Sequence, residues 1–236
     1  MSEVKAIVCD TGGTVFDWFT PVCDALALAG VRHGVSADWA AVTRTWRMAS
    51  TRLVDRGMPQ HQDGRPWDMD DALDDTLDVA LDEAGVVFPD EARGELVRAW
   101  RRMPAWPDVA PGVRRLRELV PVAPFTILRT ALIVEASRLS GIVWDTVISC
   151  ETFGIYKTQP DSYRWAARIF DVRREDLLIV TTHNNDLEAA ADMGLRTAFI
   201  HRPDEWGGAP SDDPDPSPRA DATVSAFGEV EALLGR

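Results

Sequence analysis

Val4-Lys5-Ala6-Ile7-Val8-Cys9-Asp10-Thr11-Gly12-Gly13-Thr14 is the stretch on which the fold turns. The apolar run Val4 to Cys9 reads as a buried strand, and Gly12-Gly13 ends it. A carboxylate at a strand tip, followed by a glycine turn, is held at the open edge of a sheet. A fixed aspartate there can attack carbon or phosphorus and form an ester or acyl phosphate. An aspartate that only caps a turn has the same local sequence, so the rest of the chain has to supply its partners.

Downstream, short apolar runs alternate with helical patterns. Val122 to Leu128 reads as a strand preceded by a helix from Gly112 to Leu119, and Leu132 to Leu139 as a helix stopped by Gly141. Thr146 to Ser149 is a short strand, Asp161 to Phe170 a helix, Leu177 to Thr181 a strand, Asp186 to Met193 a helix, and Thr197 to His201 a strand. Ala222 to Phe227 and Glu229 to Leu234 close the chain as a strand and a helix. This alternation predicts an α/β fold, a Rossmann-like and mainly parallel sheet with helices on both faces. Ligands of such sheets sit at the carboxyl ends of the strands, which singles out Asp10, Thr126 and Thr181 to Asp186.

Between Asp17 and Pro107 no strand is legible. Trp39, Val42, Trp46, Ala49 and Leu53 recur at helical spacing, as do Leu73, Leu77, Ala80, Leu81 and Ala84, and Leu96, Val97 and Trp100 mark a third helix. The reading is an all-helical cap, residues 18–107, inserted after the first strand into a core domain of residues 1–17 and 108–236. Six of the nine tryptophans lie between Trp18 and Trp106 and are read as packing. The run Asp68 to Glu83 carries eight acids, read as a solvated helix face and not a metal site. Pro203 to Pro218 reads as a surface loop.

Composition bounds the partners. In 236 residues, 25 Lys and Arg face 38 Asp and Glu, a net charge of −13. That balance argues against a nucleic-acid partner but not against a small anionic substrate, because a local field can oppose the net charge. Cys9, Cys23 and Cys150 are odd in number and far apart, which speaks against a disulfide framework and suits a reducing cytoplasm. No signal peptide or membrane-spanning run is read.

Four further elements follow Asp10 in order: Thr126 at the end of the second strand; Tyr156-Lys157-Thr158-Gln159-Pro160-Asp161-Ser162-Tyr163; Thr181-Thr182-His183-Asn184-Asn185-Asp186; and Arg202-Pro203. The set resembles the haloacid dehalogenase superfamily, and within it the L-2-haloacid (type II) dehalogenases. The resemblance covers nearly the whole chain and is strongest from Gly141 to Pro203, in Trp144-Asp145, Tyr156-Lys157, Asp186-Leu187-Glu188-Ala189-Ala190, Gly194-Leu195-Arg196-Thr197-Ala198 and Arg202-Pro203.

The resemblance implies a metal-independent hydrolase without a cofactor. Asp10 attacks the halogen-bearing carbon of a small carboxylic acid, and water then hydrolyses the ester to a hydroxy acid and halide. The family's Gly-Thr matches Gly13-Thr14, its lysine Lys157, its later tyrosine Tyr163 (read as a substrate contact, or else as packing against the following helix) and its acidic-loop residue Asp186, with Thr181 and His183 as neighbouring polar contacts. Water is positioned by Asp186, with Thr181 or His183. The leaving halide is assigned to Arg47, with Arg44 as its competitor. A homodimer is implied as well.

The departures are equally informative. Phosphatases of the superfamily carry an aspartate two residues after the nucleophile and another acid before the later one. Here those positions are Gly12 and Thr182, which argues against phosphoryl transfer and a magnesium site. Gly12 also replaces an aromatic wall, implying a larger or differently shaped substrate. The family's Ser-Asn-Gly reads Thr126-Ile127-Leu128, and Ile127 has no polar side-chain atom to replace the asparagine. Arg129 offers a forked cation for a substrate carboxylate in its stead. Two other readings use the same residues: attack of Asp10 on a different carbon electrophile, and a non-catalytic protein on the same scaffold.

Overall fold

The computed structural model of the protein describes residues 3–55, 68–211 and 213–235. Trp67, one of the tryptophans read as packing, lies outside them. The chain divides into two compact units, Met1–Asp17 with Pro104–Arg236, and Trp18–Met103. In chain order the elements are β1 (Ala6–Cys9), α1 (Phe19–His33), α2 (Trp39–Asp55), α3 (Met69–Glu83), α4 (Asp90–Ala99), α5 (Val109–Arg117), β2 (Val122–Thr126) and α6 (Thr130–Leu139). There follow β3 (Ile148–Ser149), α7 (Pro160–Ile169), β4 (Leu177–Thr181), α8 (Asn184–Asp192), β5 (Arg196–Ile200) and β6 (Ala222–Val224).

The strands form one sheet in the order β3-β2-β1-β4-β5-β6, with every neighbouring pair parallel. β1, β2 and β4 are buried at every position, as expected of parallel strands covered on both faces. From β1 the chain winds to β2 and β3 on one side and returns to β4, β5 and β6 on the other. The switch in direction lies between β1 and β4, and a crevice opens at their carboxyl ends. Cys9 pairs with Pro124 on one side and Val180 on the other, and Asp10 N–H still bonds Val180 O at 2.9 Å. Asp10 therefore leaves the sheet in the middle of that crevice.

Several elements differ from the sequence reading. β3 has two residues where four were expected. Val122 turns both its N–H and its C=O away from β1, to Asp145 Oδ2 at 2.8 Å and to Asp145 N–H at 3.1 Å. Two residues on, Pro124 faces the same side with no hydrogen to donate, so ladder pairing begins only at Phe125 and Ile148. The last helix is a 3-10 helix, Phe227–Leu234, and β6 ends at Val224. Phe227 N–H is bound instead by Asp108 Oδ2 at 2.8 Å. The second boundary between the units falls after Met103, four residues before the expected one. Phe16 bridges Ala105 and Trp106 Nε1–H donates to Gly13 O at 2.7 Å, which ties this segment to the sheet unit.

The other unit is helical among its described residues. It contains α1, which the sequence reading did not recognise. Its buried residues Phe19, Val22, Leu26, Ala29 and Gly30 have helical spacing, but Cys23 and Ala25 to Ala29 are apolar on nearly every side and blur the period. In α3 the buried face is Met69, Ala72, Leu73, Thr76, Leu77, Ala80 and Leu81. The acids lie on the opposite face, and Asp68 closes a capping box with Asp71. Trp18 stacks on Trp100 at 5.8 Å between ring centroids, and Trp46 meets Trp100 edge-on at 5.5 Å. Trp46 also donates its indole N–H to Leu73 O at 2.8 Å. Trp46→Ala removes this fully buried ring and is expected to cost about 3–5 kcal/mol of stability, read as a lower urea midpoint with unchanged slope.

Candidate active site

The site is assembled in the sheet unit around Asp10. Its Oδ1 accepts from Lys157 Nζ at 3.0 Å and its Oδ2 from Thr14 Oγ1 at 2.8 Å, with His183 Nδ1 at 3.2 Å from Oδ2. Lys157 also donates to Asp186 Oδ2 at 2.8 Å. The other Asp186 oxygen accepts from the Tyr163 hydroxyl at 2.5 Å. The Lys157 ammonium lies 4.6 Å from the centroid of the Phe125 ring, and Tyr163 meets that ring edge-on at 5.6 Å. The Lys157 and Asp186 side chains are 6% and 5% exposed, and Asp10 13%.

These surroundings set the charges. Burial acts to raise the Asp10 pKa, but the Lys157 ammonium, His183 and the Thr14 hydroxyl outweigh it and hold the carboxyl well below the usual range. Burial acts to neutralise Lys157, and Asp10 and Asp186 outweigh it, keeping the ammonium charged above its ordinary pKa. Burial, then Asp186, push the Tyr163 phenol up, so it stays a donor. Burial also pushes up the neighbouring Cys9 thiol, and Cys150 to about 12. Neither competes with Asp10 as a nucleophile. All three cysteines are free.

The loop after β1 is pinned from several sides. Thr14 Oγ1 accepts Thr182 N–H at 3.0 Å while donating to Asp10, which fixes its direction. Arg202 Nε donates to Thr14 O at 3.0 Å, and its two terminal nitrogens grip Asp108 at 3.0 Å each. Gly13 has φ +89°, and a Cβ there would lie 2.1 Å from Glu205 Oε1. A side chain is excluded both by conformation and by space.

The remaining expected residues are placed as follows. Thr126 Oγ1 shares a hydrogen bond of 2.6 Å with Thr11 Oγ1 and accepts Leu128 N–H at 3.0 Å. Ile127 is half-buried beyond it, and Gly12 is buried in the turn, bridged to Phe16. Thr181 is buried, its hydroxyl accepting His183 N–H at 3.2 Å. Two expectations change. Tyr163, expected at the substrate, is fully buried and works on Asp186. Arg129, expected to offer its fork to a carboxylate, turns Nε to Glu151 Oε2 at 3.4 Å. Glu151 is held there because its other oxygen caps Thr130 N–H at 2.8 Å. Arg47 belongs to the helical unit, buried on α2 with its guanidinium 5.6 Å from the Trp18 ring centroid. Arg44 lies 5.9 Å from that of Phe19. Among the described residues no group of three or more His, Cys, Asp or Glu side chains is placed to hold a metal ion.

No family model matches the chain. It is 26% identical over 223 residues to (S)-2-haloacid dehalogenase 1 of Pseudomonas sp. (strain CBS-3), covering 89% of this chain and 91% of that protein. It is 26% identical over 205 residues to the (S)-2-haloacid dehalogenase of Xanthobacter autotrophicus, covering 84% and 76%. The crystal structure of the defluorinating L-2-haloacid dehalogenase Rha0230 matches with a TM-score of 0.88 and 30% identity, over 99% of this chain and 96% of that one. The chain belongs to the L-2-haloacid dehalogenase subgroup of the haloacid dehalogenase superfamily.

The sequence reading missed one acid at the site. Glu205 lies in the stretch taken for a surface loop, yet it is buried, and its Oε1 is 2.9 Å from His183 Nε2. The only local signal is an acid in the turn after Arg202-Pro203, where Glu205 N–H bonds Arg202 O at 3.1 Å. Burial by itself lowers the His183 pKa; Glu205 and Asp10 outweigh it and raise it to about 10. Protonation of His183 therefore contributes stability that is complete below its unfolded value of about 6.5 and is lost as pH rises through about 10. Thermal unfolding scans from pH 6 to 10 are expected to show Tm falling across that window, and His183→Gln to flatten the fall.

Proposed function

We propose that the protein hydrolyses 2-haloacids: Asp10 displaces halide from the α-carbon, and water cleaves the resulting ester to a 2-hydroxy acid. The observation that carries this reading is the Asp10 carboxylate itself, held ionised by Lys157 at 3.0 Å and aimed by Thr14 at 2.8 Å. A carboxylate so placed at the mouth of the crevice is a nucleophile for an in-line displacement at carbon. Phosphoryl chemistry is disfavoured because Gly12 and Thr182 stand where phosphatases of the superfamily carry acids. The relatives' names supply the substrate class, 2-haloacids, with defluorination named for one of them. Lys157 and protonated His183 offset two of the three carboxylates gathered there, Asp10, Asp186 and Glu205, which limits the repulsion that an anionic acid meets in a chain of net charge −13.

In this scheme Lys157 keeps Asp10 ionised and steady. Tyr163 holds Asp186 so that Lys157 is shared along one line. Arg47, on the sequence resemblance, receives the departing halide. The resemblance further supports a homodimer, and three free cysteines suit a reducing cytoplasm.

Heavy-oxygen water tests the reaction. After many turnovers on 2-chloro- and 2-fluoroacids, peptide mass spectrometry is expected to find the label in the Asp10 carboxylate, with Asp10→Asn releasing no halide above background. Absence of label and halide across the panel would remove the proposal. Lys157→Met and Arg47→Ala are each expected to lower kcat by about 10²–10³, measured as halide release at saturating substrate.

A further inference from the structure

We propose that His183, held by Glu205, is the general base for the second half of the reaction, hydrolysis of the Asp10 ester. The inference rests on the proposed ester and assigns the group that activates the water.

The geometry separates the candidates. Lys157 is an ammonium fixed between Asp10 and Asp186 at 3.0 and 2.8 Å, with no lone pair to offer. Asp186 has both oxygens engaged, one by Lys157 at 2.8 Å and one by Tyr163 at 2.5 Å. Thr181 is buried and bound to the His183 backbone. His183 differs from all of these. Its side chain is 20% exposed, Nδ1 stands 3.2 Å from Asp10 Oδ2, and Nε2 stands 2.9 Å from Glu205 Oε1. A carboxylate on one ring nitrogen fixes the tautomer of a neutral imidazole and leaves the lone pair on the other. That lone pair faces the carboxyl group that becomes the ester. Glu205 is a positioning residue in this arrangement. It is itself buried, and Gly13 leaves the room it needs.

Charge explains the timing. In the resting enzyme the imidazolium lies between two anions, Asp10 and Glu205, with Lys157 and Asp186 beyond Asp10. Alkylation makes Asp10 neutral and removes one of those anions while Glu205 remains, so the His183 pKa falls and the molecules that give their Nδ1 proton to solvent are the ones that go on to react. A water then adds to Asp10 Cγ and passes one proton to Nδ1. The bond from Cγ to the alkyl oxygen breaks, and the leaving alkoxide takes that proton to become the hydroxy acid. The second proton of the water remains on the Asp10 carboxyl and moves to His183, restoring the starting ion pair. One haloacid and one water give one hydroxy acid, one halide and one proton. The water oxygen stays on Asp10.

Rapid-quench kinetics on the full-length protein with 2-chloropropionate test this. For His183→Asn the expected result is a burst of about one halide per site. Hydroxy-acid formation is then expected to slow by about 10²–10⁴, with the Asp10 ester accumulating as a mass increase of the intact protein. For Glu205→Gln the ester-hydrolysis rate is expected to drop by about 10-fold, and the rising limb of its pH profile to move to lower pH, because the anion that raises the His183 pKa is gone. A merely structural role for Glu205 would not move that limb. If the His183→Asn protein turns over like wild type without ester, or loses the burst and the later step alike, the assignment to His183 is overturned while the dehalogenase reading stands. If wild-type protein releases no halide from any 2-haloacid, the reaction itself is overturned and this inference with it.

Discussion

One ammonium organises the sheet unit. Lys157 sits between two carboxylates, over the face of an aromatic ring, almost out of water. Removing Lys157 leaves Asp186 a buried charge without its counterion and Asp10 with His183 alone, which costs about 3–5 kcal/mol in comparable sites. The fold is therefore constrained to bring four segments to one point: the tip of β1, the end of β2 with Phe125, the segment leading into α7, and the first turn of α8. The strand order does this directly, because β1 is flanked by β2 and β4. The same constraint makes Asp10 useful, since a carboxylate held ionised and oriented by its partners is already prepared for displacement.

A second anchorage keeps the loop after β1 from drifting. Arg202 joins the end of β5 to Thr14 O and to both oxygens of Asp108, and Asp108 also binds the start of the 3-10 helix at Phe227. The bidentate fork gives this junction one geometry. It ties an arginine far along the chain to the loop that follows a nucleophile near its beginning. The strand-tip aspartate is aimed by Thr14, Thr14 is aimed by Thr182 N–H, and the backbone between them is clamped by Arg202.

The site is closer to neutral than the chain as a whole. The protein is strongly acidic, yet at the nucleophile the cations Lys157 and His183 offset two of three carboxylates, Asp10, Asp186 and Glu205. Much of the acid lies elsewhere, on the outward face of α3 for example, where it is solvated and acts on solubility rather than on chemistry. The local field at Asp10 is set by neighbours within about 3 Å, where water screens little.

Some of this was written in the sequence. Unbroken apolar runs identified β1, β2 and β4, because a parallel strand covered on both faces needs no alternation. Asp10 and the stretch Thr181 to Asp186 stood out because they follow strand ends, where local pattern and position coincide, whereas Thr14 and Lys157 were singled out by the family resemblance. Other features belong to tertiary structure. Glu205 looked like one acid in a polar loop, and only the packing of its turn against Gly13 and His183 makes it part of the site. Tyr163 moved from substrate to Asp186, and Arg129 to Glu151, because side-chain direction depends on partners more than 20 residues away. β3 was shortened by a proline on the neighbouring strand, and α1 was hidden because its sequence is apolar on almost every side. Periodicity is a local property, so the sequence by itself determined which segments form the sheet and which carboxylate sits at its edge. Which groups surround that carboxylate depends on contacts between distant segments, and only the folded chain decided it.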